Sequence, residues 1–228
     1  MGRPLRAAAG DLVYHALNRA NGRMKIFEKA ADFDAFERAM AEARERFDMR
    51  ILAYCLMPNH WHLVLWPHED HDLSRFVGWL TLTFTQRWHA HRNSAGTGHL
   101  FQGRFKSFAV QTDEHLLMVL RYVEGNPVRA GLVTKSQDWQ WSSGWRREHA
   151  EERAHKLLTQ WPLPPVRDWA KWMNTAQSDR ELESLRLSVN RGRPYGSEVW
   201  VKRTASGLGL ETTLKPRGRP RKLKQKGS

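Results

Sequence analysis

The chain of 228 residues carries 37 Lys and Arg against 24 Asp and Glu, a formal net charge of +13 with a pI near 10.4. That length fits one domain of ordinary size with an appendage, and 40% hydrophobic residues are enough to build a core. Excluded are a membrane-spanning helix, because no apolar run approaches about 18 residues, and an intrachain disulfide or a zinc site of several thiolates, because Cys55 is the only cysteine.

In chain order, residues 11–18 read as a first strand. Asp32 is followed by Phe33, Phe36, Met40, Ala43 and Phe47 at helical spacing, which predicts an amphipathic helix. The apolar run from Ile51 to Met57, the turn signal Met57-Pro58-Asn59 and a second run from His60 to Trp66 predict a hairpin. Leu73, Phe76, Val77, Leu80, Phe84 and Trp88 recur every three or four residues, predicting a long helix before the Gly/Ser/Asn loop at 93–98. A strand from Gln102 to Gln111 is expected next. Thr112 or Asp113 can cap a further helix with the stripe Leu116, Val119, Leu120 and Val123, and Pro127 disfavours helical geometry at Asn126, ending it near Gly125. The order βαββαβα with antiparallel neighbours predicts an α+β fold, an antiparallel sheet with helices packed on it.

Past residue 145 come the Pro-rich segment Trp161 to Pro165, a short helical pattern from Asp179 to Leu187, and a run from Val189 to Leu210 apolar enough for a small helical element. The expected division is a body at 1–145, a linker with a short helical segment at 146–185, and a basic extension at 186–228. That extension holds 12 Lys and Arg against Glu198 and Glu211, so +10 of the +13 lies in it and about +3 in the body. A concentration of this kind favours a polyanionic partner through counterion release, unless it is a solvated appendage. Lys215-Pro-Arg217-Gly218-Arg219-Pro220-Arg221-Lys222 looks like an AT-hook, in which Arg217 and Arg219 would enter an A·T minor groove. Arg191-Gly192-Arg193-Pro194 repeats that core or is simply a turn.

His60-Trp61-His62 falls in a predicted strand, so both imidazoles share one face and Trp61 points into the opposite layer. Two neutral histidines on one face can chelate a divalent ion; a structural or exposed pair is the alternative. His89-Ala90-His91 falls in a helix, where residues two apart diverge by about 200° and cannot share a metal. Tyr122 flanks the apolar stripe of its helix and either reaches the sheet face or completes the core. Arg104 and Lys106 would project from one face of their strand beside Gln102, a basic face for phosphate contacts that Arg19 and Arg23 would extend; solvated surface charge is the alternative.

Three linked blocks then carry a resemblance. They are Tyr54-Cys-Leu-Met-Pro-Asn-His60-Trp-His62-Leu-Val-Leu, Leu100-Phe-Gln-Gly-Arg104-Phe-Lys106-Ser, and Arg121-Tyr122-Val-Glu-Gly-Asn126-Pro127-Val-Arg-Ala-Gly131-Leu-Val. In this order and spacing the chain resembles the single-tyrosine HUH transposases, which are IS200-like, and within them the REP-associated tyrosine transposases. The resemblance covers about residues 3–145, including Arg3-Pro-Leu-Arg6, His15-Ala-Leu-Asn-Arg19 and Ile26-Phe27. It implies a ferredoxin-like palm, His60 and His62 as ligands of Mg²⁺ or Mn²⁺, and Tyr122 as the nucleophile that leaves a 5′-phosphotyrosine and a free 3′-OH. The implied partner is single-stranded or hairpin, palindromic DNA.

Relatives often carry a polar third ligand four residues after the tyrosine, here Asn126. Asn126-Pro127 also reads as a helix start, and Glu124 is a charged rival that should face another way if the helix is intact. A soluble protein is expected, monomer or homodimer, with no membrane partner and with the nucleoid as its place in a bacterial cytoplasm; the first residues lack the apolar stretch of a secretory signal. Two other function classes fit parts of the chain. One is a DNA-binding regulator of transposase origin with an unused catalytic centre. The other is a hydrolase with a His-x-His metal site, which needs further ligands on later strands, whereas His68 and His71 come early in a loop.

Overall fold

The computed structural model describes residues 8–149, 157–164 and 166–215. Its frame is an antiparallel sheet of β1 (Val13–Arg19), β2 (Arg50–Met57), β3 (His60–Trp66) and β4 (Lys106–Val110), in the order β2-β3-β1-β4. Helices α1 (Ala30–Phe47) and α2 (Asp72–His91) pack on one face and α3 (Glu114–Glu124) on the other. This is the expected α+β architecture, built on the hairpin β2–β3.

Strand alternation decides what each face receives. Trp61, Leu63 and Leu65 of β3 enter the layer built with Phe36, Phe76, Leu80 and Phe84, while Val64 joins Val13, Cys55, Phe108 and the α3 stripe Leu116, Val119 and Leu120. Trp61 is fully buried, its ring 5.9 Å from that of Phe36 and 6.4 Å from that of Phe101. A one-residue slip of β3 would drive His60 and His62 into this aromatic layer and expel Trp61, so the burial of one indole fixes the face of both imidazoles.

Local signals set the helix ends. α1 starts two residues before Asp32, whose carboxylate turns back to accept from the Glu28 and Lys29 N–H groups at 2.9 and 3.2 Å and pairs with Arg92 of the α2 terminus at 3.0 Å. Asp113 caps α3 by accepting from the His115 N–H at 2.9 Å. At Gly125 the chain turns into α4 (Asn126–Arg129), with Pro127 in the first turn, where its missing N–H costs nothing. A Cβ on Gly125 would lie 2.9 Å from the Arg121 carbonyl oxygen, so this close turn requires glycine.

One expected strand is shorter than its sequence suggests, because β4 begins at Lys106 rather than Gln102. Leu17 pairs with Lys106 and Ala20 with Phe101, so three steps along β1 match five along the opposing chain. The surplus bulges out of the ladder, and the Gly103 carbonyl is taken by the Asn18 side chain at 3.1 Å. Arg104 therefore leaves the strand, and the expected common face for Arg104 and Lys106 does not form.

The later segments lie on the same frame. α5 (Ser143–Glu148) is held by Arg147, which donates to the Leu52 carbonyl at 2.8 Å, and by Arg146, which meets Glu37 and the Tyr54 hydroxyl. Beyond it are α6 (Trp169–Met173), α7 (Asp179–Arg191) and α8 (Glu198–Gly207). Buried Arg121 donates to the Thr175 and Ala176 carbonyls, and Tyr195 covers the open edge of β4, its N–H bonding the Ala109 carbonyl at 2.8 Å while its carbonyl accepts from Gln111 at 2.9 Å. Pairing the edge strand removes a template for aggregation. The AT-hook-like stretch from residue 216, with Arg217 and Arg219, lies outside the described residues, as does Arg3-Pro-Leu-Arg6. No helix among the described residues is long and apolar enough to cross a membrane.

Candidate active site

The β1–β3 ladder pairs Arg19 with His60, Leu17 with His62 and His15 with Val64. Directly opposed residues point to one face, so His15, Arg19, His60 and His62 all project toward α3. Lys106, opposite Leu17 on β4, shares that face about 10 Å from His62, two strand spacings away. Buried His62 and half-buried His60 have ring centroids 5.0 Å apart at 78°. Tyr122 descends from α3 and stands edge-on to both His62, at 5.9 Å and 87°, and His15, at 6.1 Å and 87°.

Burial sets the charge state of both imidazoles. Burial, reinforced by the Arg19 guanidinium, pulls His60 down to about 4; burial, with His15 and His60 as neighbours, pulls His62 well below the ordinary imidazole value. Both are neutral at pH 7, each with a lone pair to give. Their Nδ1 atoms are already engaged, His60 with Asn59 Oδ1 at 2.6 Å and His62 with His15 Nε2 at 2.8 Å, so the two Nε2 atoms are the ring nitrogens not so engaged. Two neutral nitrogen donors on one face fit a divalent ion, and suit Mn²⁺ better than the oxygen-preferring Mg²⁺.

The neighbouring polar residues divide clearly. Glu124 is fully buried, accepting from Ser143 Oγ at 2.6 Å and Trp169 Nε1 at 3.2 Å, and burial pushes its carboxyl upward. Asn126 opens α4, its amide nitrogen donating to the Val123 carbonyl at 3.4 Å, which leaves Oδ1 as the side-chain atom not so engaged. His89 and His91 turn to different partners, Ser94 Oγ at 2.9 Å and Lys29 Nζ at 3.2 Å, and form no common site. Arg23 is exposed in the turn after β1, and its carbonyl accepts from Asn59 Nδ2 at 3.2 Å, beside His60. Exposed Arg104 instead lines a groove of about 1020 Å³ between α2 and the 95–105 loop, with Asn18, Gln86 and His99.

Two residues escaped sequence reasoning. His15 meets His62 only through the antiparallel register of β1 and β3, which no spacing in the chain reveals. Arg129 follows Tyr122 by seven residues across the Gly125 turn; its guanidinium lies 4.5 Å from the phenol centroid and donates to the Tyr122 carbonyl and to Gln177 Oε1. Two turns of uninterrupted helix would have suggested the proximity, but the predicted helix end at Gly125 hid it.

Comparison with known proteins shows the family and the fold. A family model described as IS200-like transposase matches residues 8–126, which include His60, His62, Tyr122 and Asn126. A Haemophilus influenzae protein named as a putative REP-associated tyrosine transposase is 27% identical over 124 residues, 51% of this chain and 70% of its own length. The solved structure of a REP-associated tyrosine transposase bound to a REP hairpin aligns with a TM-score of 0.53 and 22% identity, covering 74% of this chain and 94% of that one.

Proposed function

Because the chain belongs to the IS200-like transposase family, we propose that it is a metal-dependent DNA strand transferase of the single-tyrosine HUH type. It would cleave and rejoin single-stranded or hairpin DNA through a 5′-phosphotyrosine on Tyr122. The observation that carries this reading is the convergence of two neutral imidazoles and one phenol on a single sheet face, His60 and His62 with ring centroids 5.0 Å apart and Tyr122 at 5.9 Å from His62.

In this reading His60 and His62 hold Mg²⁺ or Mn²⁺ through Nε2, with Asn126 Oδ1 as the third protein donor. A bound ion supplies Lewis-acid stabilisation of charge on the scissile phosphate and on the leaving oxygen. Tyr122 Oη forms a bond to phosphorus as the bond to O3′ breaks; the phenolic proton passes to solvent, and O3′ takes up a proton to leave as the 3′-OH. One phosphodiester is exchanged for another, so attack by a 3′-OH on the phosphotyrosine rejoins DNA without ATP. Exposed Arg129, over the phenol ring, and Arg19, Arg23 and Lys106 near the imidazoles would neutralise backbone phosphates. Arg104 would meet DNA from its groove, and Arg217 and Arg219 would anchor flanking duplex through the minor groove.

The REP hairpin held by the solved relative supports palindromic single-stranded DNA as the substrate class. Incubation with end-labelled hairpin DNA and Mn²⁺, followed by denaturing electrophoresis, tests the proposal. A protein-linked labelled band that EDTA abolishes is expected. Tight hairpin binding with no cleavage in either Mn²⁺ or Mg²⁺ would leave a DNA-binding regulator in its place.

A further inference from the structure

The orientation of the two imidazoles is secured by unequal partners. Asn59 donates through Nδ2 to the Arg23 carbonyl at 3.2 Å, so the Oδ1 atom 2.6 Å from His60 Nδ1 is an oxygen and can only accept. His60 therefore carries its proton on Nδ1 and has a bare Nε2. His62 has no such acceptor-only neighbour. Its Nδ1 lies 2.8 Å from Nε2 of His15, a second imidazole that is fully buried and lies edge to edge with it, with a centroid distance of 5.0 Å and planes 5° apart. The other ring nitrogen of His15, Nδ1, is buried without any partner among the described residues.

A neutral imidazole has one N–H, so the pair has two arrangements. If His15 donates from Nε2, His62 must carry its own proton on Nε2, and that nitrogen is closed to a cation. If His62 donates from Nδ1, its Nε2 is bare, and His15 must hold its proton on the unpartnered Nδ1. The second arrangement alone makes His62 equivalent to His60. His15 Nδ1 is without a partner among the described residues in either arrangement, so the choice between them turns on which atom His62 presents.

We propose that His15 is a positioning residue of the cation site, accepting the His62 Nδ1 proton so that His62, like His60, presents Nε2. This rests on the reading of His60 and His62 as ligands. Removing such a partner from a metal-bound histidine lowers metal affinity about 10- to 100-fold. A leucine at position 15 has similar bulk and no acceptor; a glutamine offers a carboxamide oxygen near the position of the lost Nε2.

The test has two parts on the full chain. Manganese titration followed by electron paramagnetic resonance of the free ion should give wild-type binding, a loss of about 10- to 100-fold in affinity for His15→Leu, and substantial recovery in His15→Gln. Long-range ¹⁵N–¹H correlation spectra of the wild type with saturating Mg²⁺ should show His62 protonated at Nδ1, a readout that needs no variant to fold. Equal Mn²⁺ affinity in wild type and His15→Leu overturns the role of His15 while leaving the ligand assignment standing; His62 protonated at Nε2 in the Mg²⁺-loaded protein overturns the role of His15 and the assignment of His62 as a ligand together. Absence of Mn²⁺ binding to the wild type overturns the ligand assignment itself, and the role of His15 with it.

Discussion

Tyr122 stands edge-on to His62, with ring centroids 5.9 Å apart and planes at 87°, while the Arg129 guanidinium lies over its ring at 4.5 Å. Ring contacts therefore hold the side chain, and its hydroxyl makes no hydrogen bond among the described residues. Tyr122→Phe keeps every one of these ring contacts. We expect it to abolish cleavage while changing unfolding free energy by less than about 0.5 kcal/mol and hairpin affinity by less than about twofold. Chemical denaturation, filter binding and a cleavage assay on the same preparation check the three parts together.

The proposed third ligand can be tested by difference. Glu124 is committed to Ser143 and Trp169, whereas the Asn126 oxygen is available. Asn126→Ala should weaken Mn²⁺ binding several-fold and slow cleavage, and Glu124→Gln should leave Mn²⁺ affinity unchanged while costing about 1 kcal/mol of stability through a weakened Trp169 bond. His60→Ala and His62→Ala provide the reference for complete loss of metal and of cleavage, with hairpin binding retained. An unchanged Mn²⁺ isotherm for Asn126→Ala would remove that residue from the coordination sphere.

The layers of the molecule differed in how plainly the sequence announced them. The His60/His62 face followed from strand alternation and the bulk of Trp61, and the α3 cap from Asp113, because both depend on neighbours in the chain. The β4 boundary was misjudged because the surplus residues between Phe101 and Lys106 become visible only against the β1 register. His15 was hidden for the same reason, being 47 residues from His62 in the chain. In the later region the helical patterns at Asp179 to Leu187 and within Val189 to Leu210 were legible, whereas the partners that Trp161, Leu185 and Tyr195 find on the body were not, since a few well-spaced apolar side chains suffice to dock a polar segment.

Stability should respond to acid through Asp32. Burial alone would raise its carboxyl, but the Glu28 and Lys29 N–H groups and Arg92 together hold it below the ordinary 3.8. A lowered folded value means that ionised Asp32 stabilises the native state fully above that ordinary value and loses the contribution as pH falls through the lowered one. Asp32→Asn is thus expected to lower the urea midpoint at pH 6 by the equivalent of about 1–2 kcal/mol, and the gap from wild type should close as pH falls below about 3.8. A gap that stays constant from about pH 6 to about pH 2.5 would contradict this.

The extension beyond Lys215 isolates the electrostatic contribution to DNA affinity. It carries six Lys and Arg and no acidic residue, and its removal spares the Tyr195 pairing with β4. Truncation after Lys215 should flatten the dependence of log K on log salt for duplex-flanked hairpins by up to about 0.9 for each phosphate that is no longer neutralised. Cleavage at saturating DNA should be unaffected, because His60, His62 and Tyr122 all remain. An unchanged salt slope would shift the phosphate-neutralising role to Arg19, Arg23, Lys106 and Arg129.

The side chain to which DNA becomes attached distinguishes a tyrosine strand transferase from every other reading of this fold. The protein, incubated with a hairpin oligonucleotide and Mn²⁺, digested with nuclease and protease, and read by tandem mass spectrometry, should yield the peptide containing Tyr122 with a nucleotide mass on the phenol. The Tyr122→Phe protein should give none. A nucleotide on any other side chain, or cleaved DNA with no adduct and undiminished cleavage by Tyr122→Phe, would contradict it.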